Sequence, residues 1–475
     1  MQSNDSSSAP LRCHLFLRQR VGGYQYEWTW FWPDWTFRDA GQAGMVIVVV
    51  WEVSTESGWF MEMMMYGKKG WFVWLVAVMV AGGVFGAVEV KEVAGRWSAE
   101  RASAWYAAQP WLVGCNYIPA TAINQLEMWQ GDTFDPETID RELALAEELG
   151  FNMLRVYLHD LVWEADEKGL YQRMDQFMDI CAAHGIRPMF VFFDDCHHFF
   201  PSIGTQPQPV PEYHNSGWVT SPARDVAANY AAGKASEQAV ARLKGYVQQT
   251  IHRFKDDSRV LMWELYNEPG RGRNVDAKGS PFGGGERFGD RSNKLLMDAW
   301  GWAREINPSQ PISSCAVGCV GKRNVEIGEI NSDVISFHSY DPPQKLESLC
   351  KRYAKAGRPA ICTEYMARPN STFEGSLPIL KQYHMGACNW GFVAGKTGCV
   401  WPWSSRDGKN VEALRERGVV CTSIKEMPLP ETWFHEIFYP DHTPYRQAEV
   451  DFIKQIIQQD KAAFSELKRN KERTK

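Results

Sequence analysis

Two apolar stretches of this chain end in a glutamate. Val260-Leu261-Met262-Trp263-Glu264-Leu265-Tyr266-Asn267-Glu268 is a β-prone run that closes on an Asn-Glu pair before the Pro269-Gly270 breaker. Pro359-Ala360-Ile361-Cys362-Thr363-Glu364-Tyr365 has the same form. Two carboxyl groups in one site can divide labour, one holding a proton and the other ionised, once their surroundings push their pKa values apart. Glu268 and Glu364 are 96 positions apart. That leaves room for several βα units, so the pair can converge on one mouth of a barrel, at the C-terminal ends of its strands.

The elements that must position them follow in order. Strand-like runs occur at 111–117, 152–158, 187–193, 260–267, 311–317, 333–340, 359–365 and 386–393, separated by helical patterns. Asp135 and Pro136 open a helix whose face runs through Ile139, Leu143, Ala146 and Leu149 before Gly150 ends it. Met174, Phe177, Met178 and Cys181 form a second stripe, and Ser236 caps a third helix with Val240, Leu243, Val247, Ile251 and Phe254 inward. Eight strands alternating with helices predict an α/β protein with a closed (β/α)8 TIM barrel over 111–460, preceded by a short helical lead-in at 88–110. The stretch from Asp194 to Trp218 is a long loop at the functional end. Residues 271–291, with Gly283-Gly284-Gly285, read as a flexible rim loop; no Lys-Ser/Thr closes it as a phosphate loop would require. Val450, Ile453, Ile456 and Ile457 face a last helix, and 461–475 is a charged, solvated tail.

The first 60 residues carry few helix or strand signals. After Met61, Met63, Met64 and Met65 come Gly67-Lys68-Lys69, an apolar run from Trp71 to Ala81, and small residues toward Ala87. This is the pattern of a secretory signal peptide, expected over 61–87, which makes 1–60 an extension upstream of the translation start and the mature protein an exported one. The alternative is a short membrane anchor, although the apolar run falls short of the roughly 20 residues of a span. The balance of 51 basic against 57 acidic residues, net −6, argues against nucleic acid or an anionic membrane surface as partner. Eleven cysteines at scattered spacings, without CxxC pairs or histidines at zinc spacing, suggest neither a metal site nor a disulfide framework.

The Trp-Glu-Leu-Tyr-Asn-Glu-Pro segment and the later Thr-Glu-Tyr resemble the acid/base and nucleophile strands of clan A glycoside hydrolases, retaining (β/α)8 enzymes, and most closely a family five catalytic domain of the cellulase or mannanase type. No β-sandwich of the family two kind precedes the barrel pattern. The resemblance implies an oligo- or polysaccharide substrate, no cofactor, and a double displacement with Glu268 as acid/base and Glu364 as nucleophile. It makes Asn267 the partner of the sugar 2-hydroxyl and Arg155 the arginine that steadies the nucleophile. Tyr340 of Phe337-His338-Ser339-Tyr340 would hydrogen-bond Glu364, with His338 facing the sugar. Trp390 would floor the −1 subsite, with Trp401 and Trp403 walling it, while Asp194 and Asp195 are expected either to bind sugar hydroxyls or to hold their loop. Twenty-one tryptophans among 13% aromatic residues are more than a core needs and suit a cleft that stacks on pyranose rings. Two alternatives share the scaffold: a glycan-binding barrel without catalysis, and a transglycosylase.

Overall fold

The computed structural model describes five strands between residues 16 and 75, and residues 89–198, 200–271, 289–316 and 321–473. The chain divides into two units, Met1–Ala81 and Gly82–Lys475. In the first, Phe16–Val21 pairs antiparallel with Tyr24–Thr29, and Val48–Thr55, Gly58–Gly67 and Gly70–Leu75 form a three-stranded antiparallel sheet. The rest of the segment expected to lie upstream of the translation start, and the end of the expected signal peptide from residue 76 on, lie outside the described residues, as does most of the glycine-rich rim loop.

The second unit is the expected barrel. Its strands are β1 Val113–Asn116, β2 Met153–Tyr157, β3 Arg187–Asp194, β4 Met262–Asn267, β5 Ile312–Ser313, β6 Ile335–His338, β7 Ala360–Glu364 and β8 Gly386–Asn389, all parallel to their neighbours. β8 pairs with β1, and the sheet runs unbroken from β5 back through β1 and β8 to β6. An isolated parallel bridge, Cys315 to Ser336, spans the remaining seam. Apart from β3, the strands are shorter than the apolar runs that announced them, because those runs include buried loop residues flanking the ladder.

Helices cover the outside. α1 Ala99–Ala107 is the lead-in; α2 Gln125–Trp129 and α3 Pro136–Leu149 follow β1. In α3, Asp135 accepts from the Thr138 amide, Pro136 stands at the first helical position, and Gly150 closes the end at φ +89°. α4 Asp160–Ala183, α5 Arg224–Ala231, α6 Glu237–Phe254, α7 Asn293–Ile306, α8 Lys322–Asn331, α9 Pro343–Ala354 and α10 Phe373–Gln382 continue the ring. After α11 Val411–Glu416, α12 Gln447–Arg473 carries helix into the segment expected to be a tail. Val450, Ile453, Ile456 and Ile457 of α12 join the main core.

Two apolar layers fix the barrel. The large one lies between strands and helices, through residues such as Leu154, Val156, Phe190, Trp263, Leu265 and Phe337. A small one, Leu112, Met153, Met189, Met262, Val334, Ile361 and Cys388, gathers residues from at or near the starts of the strands. With the strands' bases filled by apolar side chains, the polar ones collect at the opposite ends.

Candidate active site

Alternation along β2 puts Met153, Arg155 and Tyr157 on one side of the strand, with Met153 in the small apolar layer and Arg155 the next inward position above it. Register then sets the neighbours: Asn116 opposes Arg155, Asp194 opposes Asn267, and His338 opposes Glu364 after a shift between Phe337 and His338.

Arg155, fully buried, is the hub. One terminal nitrogen donates to Glu364 Oε1 at 2.8 Å, to Asn116 Oδ1 at 2.8 Å and to the Tyr157 hydroxyl at 2.5 Å. The other donates to Glu264 Oε1 at 2.5 Å and to Asn267 Oδ1 at 2.7 Å. Such bidentate, charge-assisted contacts are the strong class of hydrogen bond. Glu364 accepts further from Tyr157 at 3.0 Å on Oε1 and from Tyr340 at 2.8 Å on Oε2. Burial, then the Glu364 charge, holds the Tyr340 phenol well above its usual range, so it stays a donor.

Glu268 follows the end of β4 in a left-handed conformation, φ +42°, which turns it away from the strand's own direction. His338 Nδ1 lies 3.1 Å from Glu268 Oε1 and 3.3 Å from Glu364 Oε2, bridging the two carboxyl groups. One such atom from each of the three residues lies within 4.8 Å of the others. The Cys196 thiol donates to Glu268 Oε2 at 3.1 Å, and the Arg271 guanidinium contacts the same oxygen. Burial raises the Glu268 carboxyl, but Arg271, then His338 and Cys196, outweigh it and hold the group well below the carboxylate range. Burial lowers the His338 ring, but its neighbours, Cys315 and the two glutamates, push it well above an ordinary histidine. The glutamates carry the charge here, because burial keeps Cys315 a thiol.

The other expected site residues divide. Trp390, half-buried, packs edge-on against Tyr157 at 6.0 Å and Trp218 at 5.3 Å, and with them and Asn116 lines a pocket. Trp403, 37% exposed, stands edge-on against Tyr340 at 5.0 Å, whereas Trp401 turns toward Val400 and Trp433. Asp194 and Asp195 are spent on the protein itself. Asp194 accepts from Asn267 at 2.9 Å, the Cys196 amide at 2.9 Å and Trp218 at 2.7 Å, and burial pushes it up to about 7. Asp195 accepts from Tyr266 at 3.0 Å, the Gly270 amide at 2.6 Å and Ser292 at 2.5 Å, tying the β4 end to the start of α7. Asp194 thus orients Asn267, whose carbonyl Arg155 fixes from the other side.

Sequence reasoning missed Glu264, Tyr157, Asn116, Cys196 and Arg271. For Asn116 and Tyr157 a signal existed: each is two residues on from an inward position of its strand. Arg271 and Cys196 arrive from loops, where no periodicity points.

A network of this kind can hold one carboxylate ionised and aimed while a second exchanges a proton with whatever lies between them. The profile of the family described as cellulase (glycosyl hydrolase family 5) matches residues 116–396, more than half of the chain. The chain belongs to glycoside hydrolase family 5. Residues 116–396 are therefore a glycoside hydrolase domain. No curated protein matches it. Similar solved structures include the exo-β-1,4-mannosidase Op5Man5 from Opitutaceae bacterium strain TAV5, at 17% identity and TM-score 0.46 over 74% of this chain and 60% of that one. The endo-1,4-β-D-mannanase of Thermotoga petrophila RKU-1 has 13% identity and TM-score 0.44 over 74% of this chain and 99% of that one. The β-mannanase of the blue mussel Mytilus edulis has 13% identity and TM-score 0.41 over 65% of this chain and 92% of that one. This chain spans under two thirds of the Op5Man5 length. Among the described residues, no helix is long and apolar enough to cross a membrane.

Proposed function

We propose that this family 5 glycosidase cleaves β-linked glycans with retention, Glu364 attacking the anomeric carbon and Glu268 serving as acid and then base. The observation that carries this reading is the proximity of the carboxyl groups. Their oxygens approach within 4.8 Å, which suits direct attack by one of them; an inverting pair stands roughly 6.5–9.5 Å apart to admit water. Arg155, Tyr157 and Tyr340 give Glu364 three donors, as a nucleophile that must be ionised and aimed requires. Asn267, gripped by Arg155 and Asp194, is preorganised to meet the 2-hydroxyl in the transition state. Trp390 would floor the sugar ring and Trp403 would stand at its side.

Glu268 can act as an acid only when neutral, and in the ligand-free site Arg271 and His338 hold it ionised. The acid role therefore requires substrate binding to loosen that pairing, after which burial favours the protonated form. Once the glycosyl-enzyme has formed, Glu364 no longer carries charge, and Glu268 ionises to activate water.

We also propose that 61–87 directs export, as its Lys68-Lys69 and apolar Trp71–Ala81 run suggest. Peptides from 1–60 in the native protein would exclude it.

The test is a screen of β-linked oligosaccharides with Glu364→Ala as control, followed by azide rescue of Glu268→Ala on an activated aryl glycoside. A β-configured azide product is expected. An α-azide, or turnover near wild type in Glu364→Ala, would overturn the assignment.

A further inference from the structure

Among the described residues of the site, one cation stands without a carboxylate. Deep in the barrel, Arg155, Arg271 and a protonated His338 face Glu264, Glu268 and Glu364, three against three. Arg406 is left over. It ends the short 3-10 turn Trp403–Arg406, which carries the rim tryptophan, and is only partly exposed. Its hydrogen bonds go to neutral groups: Nη1 lies 3.1 Å from His197 Nδ1, and Nε donates to the Trp403 carbonyl at 3.4 Å. It has no carboxylate partner among the described residues.

Its surroundings make matters worse. Burial, then the charge of Arg271, pushes the Arg406 guanidinium down, while the other groups near enough to matter are the Tyr213 phenol and the thiols of Cys196 and Cys399. His197 is driven well below its ordinary range by burial, then by Arg406 and Arg271 together, so it is neutral and cannot serve as a third cation. The two guanidinium groups thus repel one another, and both act on the Cys196 thiol, which touches Glu268. An uncompensated, partly desolvated cation is costly unless an anion completes the site. Of the two, Arg271 pairs with the acid/base residue itself.

We propose that the substrate is an anionic β-glycan, in which a sugar next to the scissile bond carries an oxyanion, a uronate carboxylate or a sulfate ester, received by Arg406 and Arg271. This rests on the hydrolase reading above and supplies its missing step. As the substrate's oxyanion draws Arg271 away, Glu268 loses its counter-charge, takes a proton from water and becomes the acid. Planar guanidinium forks suit a carboxylate or sulfate, and a neutral sugar offers them only hydroxyl oxygens.

The experiment compares three forms of the same cello- and manno-oligosaccharides: neutral, oxidised at C6 to the uronate, and sulfated at O6. Binding is measured by calorimetry on the full-length Glu364→Gln protein, and kcat/KM on the wild type. One oxyanion series is expected to bind about ten- to a hundredfold tighter than the neutral one, the tighter series naming the group. The preference should shrink with added salt, collapse in Arg406→Gln, and survive in part in Arg406→Lys, which keeps the charge without the fork. Equal or weaker binding of both anionic series, or no binding of any, overturns the proposal. Cleavage of the neutral series without an anionic preference would overturn it and leave the hydrolase reading standing. Anionic preference without cleavage would support it and sink the hydrolase reading.

Discussion

Replacing Arg271 by glutamine isolates the contact that decides which protonation state of Glu268 the free enzyme presents. The guanidinium touches Glu268 Oε2, and the glutamate side chain is only 4% exposed. At a charge separation of about 4 Å and an effective dielectric constant of about 20, the attraction is on the order of 4 kcal/mol. Arg271 keeps 26% of its side chain in solvent, so part of that is screened, and pairing of this type lowers a carboxyl by about one to three pH units. The basic limb of kcat/KM against pH reports the acid of the free enzyme. In the wild type, activity should therefore already be falling through the acid range, because Glu268 sheds its proton early. In Arg271→Gln, with burial unopposed except by His338 and Cys196, the limb should move to higher pH by about one to three units. The sign for stability follows: a depressed carboxyl contributes stability above the ordinary glutamate pKa of about 4.3 and loses it as pH falls through the depressed value. Arg271→Gln should show less acid destabilisation than its parent. Superimposable basic limbs in the two proteins, at whatever absolute rates, would refute the reasoning.

Four further substitutions test the scaffold under and around the site. Arg155→Met leaves Glu264 and Glu364 buried without their cation and should cost about 3–5 kcal/mol in urea unfolding; a loss below about 1 kcal/mol would mean the carboxylates find other partners. Tyr340→Phe removes one donor to Glu364 and should lower kcat by about ten- to a hundredfold, since a hydrogen bond to a charged group contributes about 1.5–3 kcal/mol; a change confined to KM would argue against that contact. A Cβ on Gly114 would sit 1.7 Å from the Met153 carbonyl oxygen of the adjacent strand, so Gly114→Ala should abolish soluble protein, whereas Gly301→Ala, with open space in α7, should hold or raise the melting temperature.

The elements that announced themselves did so through local chemistry. Asp135, Pro136 and Gly150 bound α3 as written because capping needs only the helix's own ends. Ser236 does the same for α6. Glu268 and Glu364 stood out because each closes an apolar run. For Asp194 and Asp195, two acids at a strand end, the chain leaves sugar hydroxyls and a structural role equally open; their protein partners Asn267, Trp218, Tyr266 and Ser292 lie 24 to 97 positions away, where no pattern along the chain reveals them. Arg406 lies beyond β8 in a turn without periodicity, and only three-dimensional proximity sets its charge beside Arg271. The length of α12 was underestimated because its last turns carry lysine and arginine, which extend a helix as readily as they solvate a tail.

The seam between β5 and β6 divides the barrel's staves unequally from end to end. At its base, Asp333 acts as a clasp, accepting from the Ile312 and Trp97 amides and from Arg304, while its own amide donates to Ile312. Nearer the mouth, the Ala316 amide donates to the Ser336 carbonyl, and the Cys315 thiol, just past β5, meets the His338 ring of β6. The staves β4 and β5, which bear Glu268, are therefore hitched to β6 and β7, which bear His338 and Glu364, at both ends of the seam. Acid, histidine and nucleophile are moored across the join that the ladder leaves open, as well as by the arginine hub at β2.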